Sequence, residues 1–184
     1  MARDEEDAAV ADSFRWPDED EADPRPIVAQ LIEECEDFAD LQKGRAKILT
    51  VFRCFYKEKG GRHILGTMGL PRFGGAMNDF AMWLLALANA DEIPDFILTI
   101  DALWWAAASP FEREALVHHE LCHCEHATDK DGELKFTDEG LPVWTIRAHD
   151  LEEFNATVRR YGAWKGDITA FSQSLDSHQP RRGR

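Results

Sequence analysis

The chain has 184 residues, of which 44% are hydrophobic, and a net charge of -14. This length and apolar content suffice for one sizeable core, and no apolar run is long enough to cross a membrane. An acidic chain lacks the clustered Lys and Arg that non-specific nucleic-acid binding requires, and its acidic N-terminus does not resemble a secretory signal. We therefore expect a cytoplasmic protein that binds neither nucleic acid nor membranes.

The first 24 residues differ in composition from the rest of the chain. They contain ten acidic residues against only Arg3 and Arg15, and Pro17 and Pro24 interrupt them. Such a segment cannot bury enough apolar surface to offset the entropy lost on folding. We predict a disordered acidic arm over residues 1–24, one domain over residues 25–172, and a polar and basic tail over residues 173–184.

The domain begins with a predicted amphipathic helix over residues 27–41, whose apolar side chains recur at spacings of three and four. An apolar, β-prone run follows over residues 48–56. The Gly60-Gly61 pair and the segment 62–68 come next, and together they predict a β-hairpin. His63, in the second of these strands, is interpreted as a structural histidine.

A second helix is predicted over residues 78–89, and a strand over residues 96–100 between Pro94 and Asp101. A small mixed sheet backed by helices accommodates this order of elements, so we predict the α+β class. In such a sheet an edge strand can pair with an extended peptide. Residues 96–100 and 64–68 are both candidates for that edge strand.

The next helix carries the most informative motif in the chain. Ser109 and Glu112 form a capping-box pattern around Pro110, and no Gly or Pro interrupts residues 111–126, which we predict to be helical throughout. His119, Glu120 and His123 fit the pattern H-E-x-x-H, in which two histidines on one helical face hold Zn²⁺. Zn²⁺ lowers the pKa of a water ligand from about 15.7 towards roughly 7, and Glu120 then acts as general base.

The third ligand is predicted to lie downstream, because His126 and Asp129 do not match the metzincin continuation of this motif. Residues 147–161 lack a breaker and precede Gly162, which predicts a helix that ends at a glycine cap. His149 and Glu153 share a face of that helix, and either completes a zinc site.

Neighbouring side chains on the same predicted helix suit supporting roles. Asp150 and Glu152 are candidates to hydrogen-bond the metal ligands from behind. Whichever of His149 and Glu153 is not a ligand is a candidate to orient one, or to stabilise the oxyanion.

The cysteines are interpreted as structural. Four are too few and too unevenly spaced for a disulfide framework, so we expect reduced thiols. Cys122 and Cys124 flank His123, but residues two apart on a helix are separated by roughly 200°. Both thiols cannot reach a metal held by the histidines, and we predict that they pack the helix.

Several sequence segments together resemble the putative phage metallopeptidase family. They are residues 95–101 (DFILTID), 117–124 (VHHELCHC), 149–154 (HDLEEF) and 160–162 (RYG), and the resemblance covers most of residues 46–164. It implies a small zincin-like domain, with an HExxH helix and a second ligand-bearing helix, encoded by a bacteriophage or prophage. The expected location is then the cytoplasm of the infected or prophage-bearing bacterium. The chain departs from the expected pattern at His118, where many relatives have aspartate, and in a longer stretch over residues 70–89.

The leading hypothesis is a zinc metallopeptidase that hydrolyses a peptide or protein substrate with a metal-activated water and Glu120 as general base. The alternative is a zinc-stabilised phage protein that binds a host or virion partner without cutting it. A closed four-ligand metal site would indicate the second function, and a site with an exchangeable water the first. Nothing in the sequence indicates an oligomeric state.

Overall fold

The computed structural model describes residues 12–18, 22–90 and 92–177. Its internal contacts divide the chain into two compact units, Met1–Arg147 and Ala148–Arg184. The single domain over residues 25–172 stays a prediction. The predicted α+β class with a small mixed sheet is confirmed. Among the described residues, none of the helices combines the length and the apolar character needed to cross a membrane.

The described residues form eight strands and seven α-helices. In chain order they are β1 (Phe14–Arg15), α1 (Arg25–Glu34), α2 (Ala39–Gly44), β2 (Ile48–Arg53), β3 (Glu58–Lys59), β4 (Arg62–His63), β5 (Gly66–Gly69), α3 (Asn78–Ala88), β6 (Phe96–Asp101), α4 (Ala102–Ala107), α5 (Pro110–Leu121), β7 (Cys124–His126), β8 (Trp144–Ile146), α6 (Asn155–Tyr161) and α7 (Gly166–Asp176). Short 3-10 helices lie at Glu36–Phe38 and Gly75–Met77. The last two α-helices belong to the second unit, and all the other elements belong to the first.

The main sheet has the strand order β1-β2-β6-β5. β2 and β6 run parallel along their full length, from Ile48 opposite Phe96 to Arg53 opposite Asp101. β5 pairs antiparallel with β6, and β1 pairs antiparallel with β2. Of the two segments proposed as the edge strand, β6 is therefore internal, and β5 lies at an edge of the sheet within the described residues.

The predicted hairpin of residues 48–56 and 62–68 is wrong in its pairing. The Gly60-Gly61 turn joins only the two-residue strands β3 and β4. β2 and β5 do not pair because β6, which is distant in sequence, lies between them. The central position of β6 agrees with its apolar composition, since Phe96, Leu98 and Ile100 are fully buried.

The predicted helix over residues 27–41 is interrupted at Cys35. The backbone there is extended (φ -98°, ψ 124°), so that α1 ends and a 3-10 turn leads into α2. Phe38, in that turn, is 3% exposed and belongs to the core. The change of direction thus buries an aromatic side chain, and this gain depends on tertiary packing, which periodicity alone does not reveal.

Part of the predicted acidic arm belongs to the sheet. Phe14 lies opposite Arg53 and Arg15 opposite Phe52 in the β1–β2 pair. The guanidinium of Arg15 also stacks over the Phe52 ring, 4.5 Å from its centroid. Residues 1–11 and 19–21 of the predicted arm, and residues 178–184 of the predicted tail, lie outside the described residues.

The core of the first unit lies where α1, α2, α4 and α5 pack against the main sheet. Burying one Leu, Ile or Phe side chain contributes about 1.5–3 kcal/mol, so these residues dominate the stability of the unit. The buried members of the core are Val28, Leu31, Phe38, Leu41, Phe52, Met68, Phe96, Leu98, Ile100, Trp105, Val117, Leu121 and Trp144.

A buried ion pair connects the sheet to the helices that follow it. The Arg53 guanidinium donates to Asp101 over 3.1 Å, and the backbone N–H of Trp104 donates to the other Asp101 oxygen, which caps α4. His63 Nε2 lies 3.0 Å from Asp101 Oδ2, so this histidine also contacts the ion pair. Burial raises the pKa of Asp101, but the hydrogen bonds from Trp104, His63 and Arg53 outweigh it and hold this pKa below its usual value.

Candidate metal centre

The helix that carries the H-E-x-x-H motif begins as the sequence predicts. Ser109 Oγ accepts from the backbone N–H of Glu112, and the Glu112 carboxylate accepts from the backbone N–H of Ser109 over 2.8 Å. Pro110 occupies the first turn, where its missing N–H has no consequence. This capping box fixes the start of α5, and therefore the direction in which its last turn presents the histidines.

The end of the same helix differs from the prediction. α5 ends at Leu121, and the predicted helix to residue 126 is wrong because Cys124–His126 forms β7 and pairs with β8. Cys122 nevertheless keeps a helical backbone (φ -62°, ψ -18°), and the N–H of His123 donates to Glu120 O over 3.1 Å. His119 and His123 therefore remain one turn apart although only His119 lies within the helix.

The two motif histidines are close enough to share one metal ion. A ring nitrogen of each lies within 4.8 Å of the other, and the ring centroids are 5.2 Å apart with the planes at 85°. Two imidazole nitrogens on a tetrahedral zinc ion, at about 2.0–2.1 Å from the metal, are about 3.4 Å apart. Small side-chain rotations bridge this difference, so the donor pair fits a divalent metal of this class.

The tautomer of His123 also suits a ligand. His123 Nδ1 lies 2.7 Å from the backbone oxygen of Arg147, which can only accept, so Nδ1 carries the proton. Nε2 then has the lone pair that a metal requires. The acceptor behind this histidine is thus a backbone carbonyl, whereas we predicted a carboxylate such as Asp150 in this kind of role.

Glu120, between the two histidines, is buried against the edge strand. Its side chain is 4% exposed, and its carboxylate accepts from the backbone N–H of Met68 in β5. Burial raises the pKa of Glu120, and the neighbouring His123 side chain and the Met68 hydrogen bond oppose this rise only in part. A carboxylate with a raised pKa accepts a proton more readily, which is the property that a general base needs.

The remaining predicted site residues lie in the second unit. His149, Asp150, Glu152 and Glu153 occupy an irregular segment that precedes α6, so the predicted ligand-bearing helix over residues 147–161 is wrong in its first half. The Glu153 carboxylate accepts from the backbone N–H of Phe154 over 2.8 Å. This local hydrogen bond competes with helix formation, and α6 begins only at Asn155.

Glu153 is engaged within the second unit. Besides Phe154, its carboxylate accepts from Trp164 Nε1 over 3.2 Å and lies 3.6 Å from Lys165 Nζ. The Phe154 hydrogen bond, together with the charge of Lys165, lowers the pKa of Glu153. His149, Asp150 and Glu152 are exposed.

The family model described as "Putative phage metallopeptidase" matches residues 16–174 of the chain. The chain belongs to this family. The match covers the H-E-x-x-H motif and the segment of residues 149–154, and it confirms the resemblance inferred from those residues. Searches of curated proteins and of solved structures gave no match. A metallopeptidase family implies a bound metal and a peptide or protein substrate.

The four cysteines of the chain, Cys35, Cys54, Cys122 and Cys124, all lie in the described residues. None of them forms a disulfide among these residues. Burial, with the charges of Glu120 and Cys122, raises the pKa of Cys124 far above its usual value. In the absence of a metal, the Cys124 side chain is therefore a neutral thiol.

Sequence reasoning missed Gly66, which makes room for Glu120. A Cβ at this position would lie 2.7 Å from Glu120 Oε1 and 3.0 Å from Glu120 Cδ, so any side chain would displace the carboxylate. A glycine inside a strand often marks such a close approach, and this was the available signal. Gly66 is therefore a candidate positioning residue for the Glu120 carboxylate.

We predict that Gly66→Ala lowers kcat by roughly 10–100-fold, because small misplacements of a catalytic group have effects of that size. The overpacked strand should also lose about 1–3 kcal/mol of unfolding free energy. Gly69→Ala is the matched control, since nothing lies within 4 Å of a Cβ added at that end of β5. Cleavage rates and urea unfolding of both variants test this, and equal kcat values for both would contradict the role of Gly66.

Proposed function

We propose that this member of the phage metallopeptidase family is a zinc-dependent peptidase in which His119, His123 and His149 hold the metal and Glu120 is the general base. The observation that carries the proposal is the buried Glu120 carboxylate between two imidazoles whose nitrogens lie within 4.8 Å of each other. Burying a carboxylate costs free energy, and buried carboxylates with shifted pKa values cluster at functional sites.

The chemistry divides between the metal and the side chains. When bound, Zn²⁺ would act as a Lewis acid that lowers the pKa of water towards neutrality and polarises a peptide carbonyl. Glu120 accepts the proton of the attacking water and later donates it to the leaving amine. Gly66 and the Met68 N–H hold the carboxylate at the edge strand, and the Arg147 carbonyl keeps His123 in the ligand tautomer.

His149 is favoured over Glu153 as third ligand by its place in the chain. Arg147 is held at His123 by two hydrogen bonds. The Arg147 backbone N–H donates to His123 O over 2.8 Å, and the His123 side-chain Nδ1 donates to Arg147 O over 2.7 Å. His149 follows two residues later, so its Cα is at most about 7.6 Å from that of Arg147. Glu153 is six residues away from Arg147, and its carboxylate is already engaged with Phe154, Trp164 and Lys165.

The position of β5 at the sheet edge favours a polypeptide as the substrate. An extended peptide adds to a sheet edge through backbone hydrogen bonds, which gives affinity with modest sequence preference. β5 is such an edge within the described residues, and it contacts the Glu120 carboxylate through Gly66 and Met68. A peptide paired with β5 would lie beside the proposed base.

The direct experiment is to incubate the zinc-loaded protein with a mixed peptide library and to detect cleavage products by mass spectrometry. We expect a chelator to abolish cleavage and added Zn²⁺ to restore it, because the bound metal activates the attacking water. Cleavage that persists after complete metal removal would contradict the proposal. So would the absence of cleavage from a fully zinc-loaded, folded protein.

A second candidate function is non-catalytic binding of a host or virion partner, and the surface of α3 favours it. This helix exposes four large apolar side chains, at 46–55% of their surface: Phe80, Trp83, Leu84 and Leu87. Exposed apolar clusters often mark interaction sites. In this case the metal would be structural, with four protein ligands and no cleavage of any peptide.

A further inference from the structure

A second group of metal-binding side chains lies beside His118, the residue that precedes the motif. His118 is rotated about 100° around α5 from His119, so it faces a different neighbour. That neighbour is the break between α1 and α2, where Cys35 ends α1 and Asp37 lies in the following turn. The three side chains come from two separate segments of the first unit.

The three potential donor atoms form a compact triangle. Asp37 Oδ2 lies 3.5 Å from His118 Nε2 and 3.6 Å from Cys35 Sγ, and Cys35 Sγ lies 3.9 Å from His118 Nε2. A tetrahedral zinc ion with bonds of about 2.0–2.1 Å to N and O and about 2.3 Å to S places its ligand atoms about 3.3–3.6 Å apart. The three observed distances between donor atoms match that arrangement within a few tenths of an ångström.

The imidazole is held in the orientation that this triangle needs. Cys122 Sγ lies 3.5 Å from His118 Nδ1, and the Phe38 ring packs against the imidazole with centroids 4.9 Å apart. The Cys122 sulfur can accept a hydrogen bond from Nδ1–H. That tautomer, which a metal at Nε2 would select, places the lone pair on the atom that faces Cys35 and Asp37. The histidine is thus oriented from behind in the way that is typical of metal ligands.

Charge also favours a cation at this point. Cys35 and Asp37 alternate with Glu34 and Glu36, and Glu33 precedes them. Cys35 as a thiolate and Asp37 as a carboxylate would balance the charge of one divalent ion, and the thiol proton would be released on binding. A mixed set of sulfur, imidazole and carboxylate donors is typical of zinc and similar transition metals.

We propose that Cys35, Asp37 and His118 bind a second zinc-class ion, separate from the proposed catalytic metal and completed by water. The ion would join the break between α1 and α2 to α5, the helix that carries the motif. Because it binds only the folded arrangement, it would stabilise the first unit and fix the position of that helix. This inference goes beyond the proposed function and does not require that the protein cleave peptides.

The test is a Co²⁺ titration of the full chain with a parallel measurement of bound zinc. For the wild type we expect two metal equivalents and a near-ultraviolet thiolate-to-Co²⁺ charge-transfer band. Cys35→Ser and His118→Gln should each lose one equivalent and that band, while the other equivalent remains. Cys54→Ser, at an exposed free cysteine, is the matched control and should keep both equivalents and the band.

The two proposed metals are distinguished by a variant at the other site. His119→Ala should lose one equivalent but keep the charge-transfer band. Asp37→Asn keeps the size of an exposed side chain, and it should weaken binding at the second site by at least about tenfold. A wild type without the band, a band that survives in Cys35→Ser, or unchanged affinity in Asp37→Asn would overturn the second site whether or not peptides are cleaved.

Discussion

Glu120→Gln should lower kcat for peptide cleavage by about 10²–10⁴-fold and leave zinc binding unchanged. General base catalysis contributes a factor of this size, and an amide cannot accept the proton of the attacking water. Gln has nearly the same shape as Glu, and its carbonyl oxygen can still accept from the Met68 N–H. Cleavage assays on zinc-loaded protein, with the zinc content measured on the same samples, give both quantities.

Glu125→Gln is the matched control for this variant. It makes the same chemical change on β7, two residues beyond His123, at an exposed position. We expect its kcat to equal that of the wild type. If Glu120→Gln bound zinc fully and still cleaved at the wild-type rate, the general base would have to be another residue.

His149→Ala should weaken zinc binding at the motif histidines by at least about 100-fold. Losing even an outer hydrogen-bond partner of a metal ligand costs 10–100-fold, and losing a ligand should cost more. A competitive titration with a chromophoric chelator measures this affinity. Measuring it in a Cys35→Ser background removes any contribution from the second proposed site.

Glu153→Gln is the counterpart that separates the two candidate ligands. Its carboxylate is occupied by Phe154, Trp164 and Lys165, so we expect the zinc affinity to remain within a few-fold of the wild type. The reverse pattern, with tight binding in His149→Ala and weak binding in Glu153→Gln, would assign the third ligand to Glu153.

The parts of the fold that depend on local chemistry could be predicted from the sequence. The start of α5 follows from the capping box of Ser109 and Glu112, which needs no information from the rest of the chain. The helix α3 and the strand β6 follow from apolar patterns within a few residues of the predicted bounds. These elements are specified by residues that are close together in sequence.

The errors occurred where distant segments decide the structure. α5 stops at Leu121 because β7 pairs with β8, twenty residues away. β2 pairs in parallel with β6 rather than with the following strand, and a local turn signal such as Gly60-Gly61 carries no information about that choice. Parallel pairing requires a long crossover, which periodicity does not reveal.

In the candidate site, too, the sequence predicts the residues that are close together in the chain but not their distant partners. The motif identified His119, Glu120 and His123 because its spacing is a property of one helical turn. The groups that orient them come from elsewhere in the fold, namely Gly66 and Met68 in β5 and the carbonyl of Arg147 after β8. A backbone carbonyl or N–H has no residue signature, so sequence reasoning could not have named these partners.

A crystal structure of the zinc-loaded protein, with anomalous diffraction at the zinc edge, tests the central claim most directly. We predict an anomalous peak about 2.0–2.1 Å from one ring nitrogen each of His119, His123 and His149, with a coordination position that no protein atom occupies and that the Glu120 carboxylate faces. An ion enclosed by four protein ligands, or a zinc-loaded crystal without a peak between His119 and His123, would contradict the account.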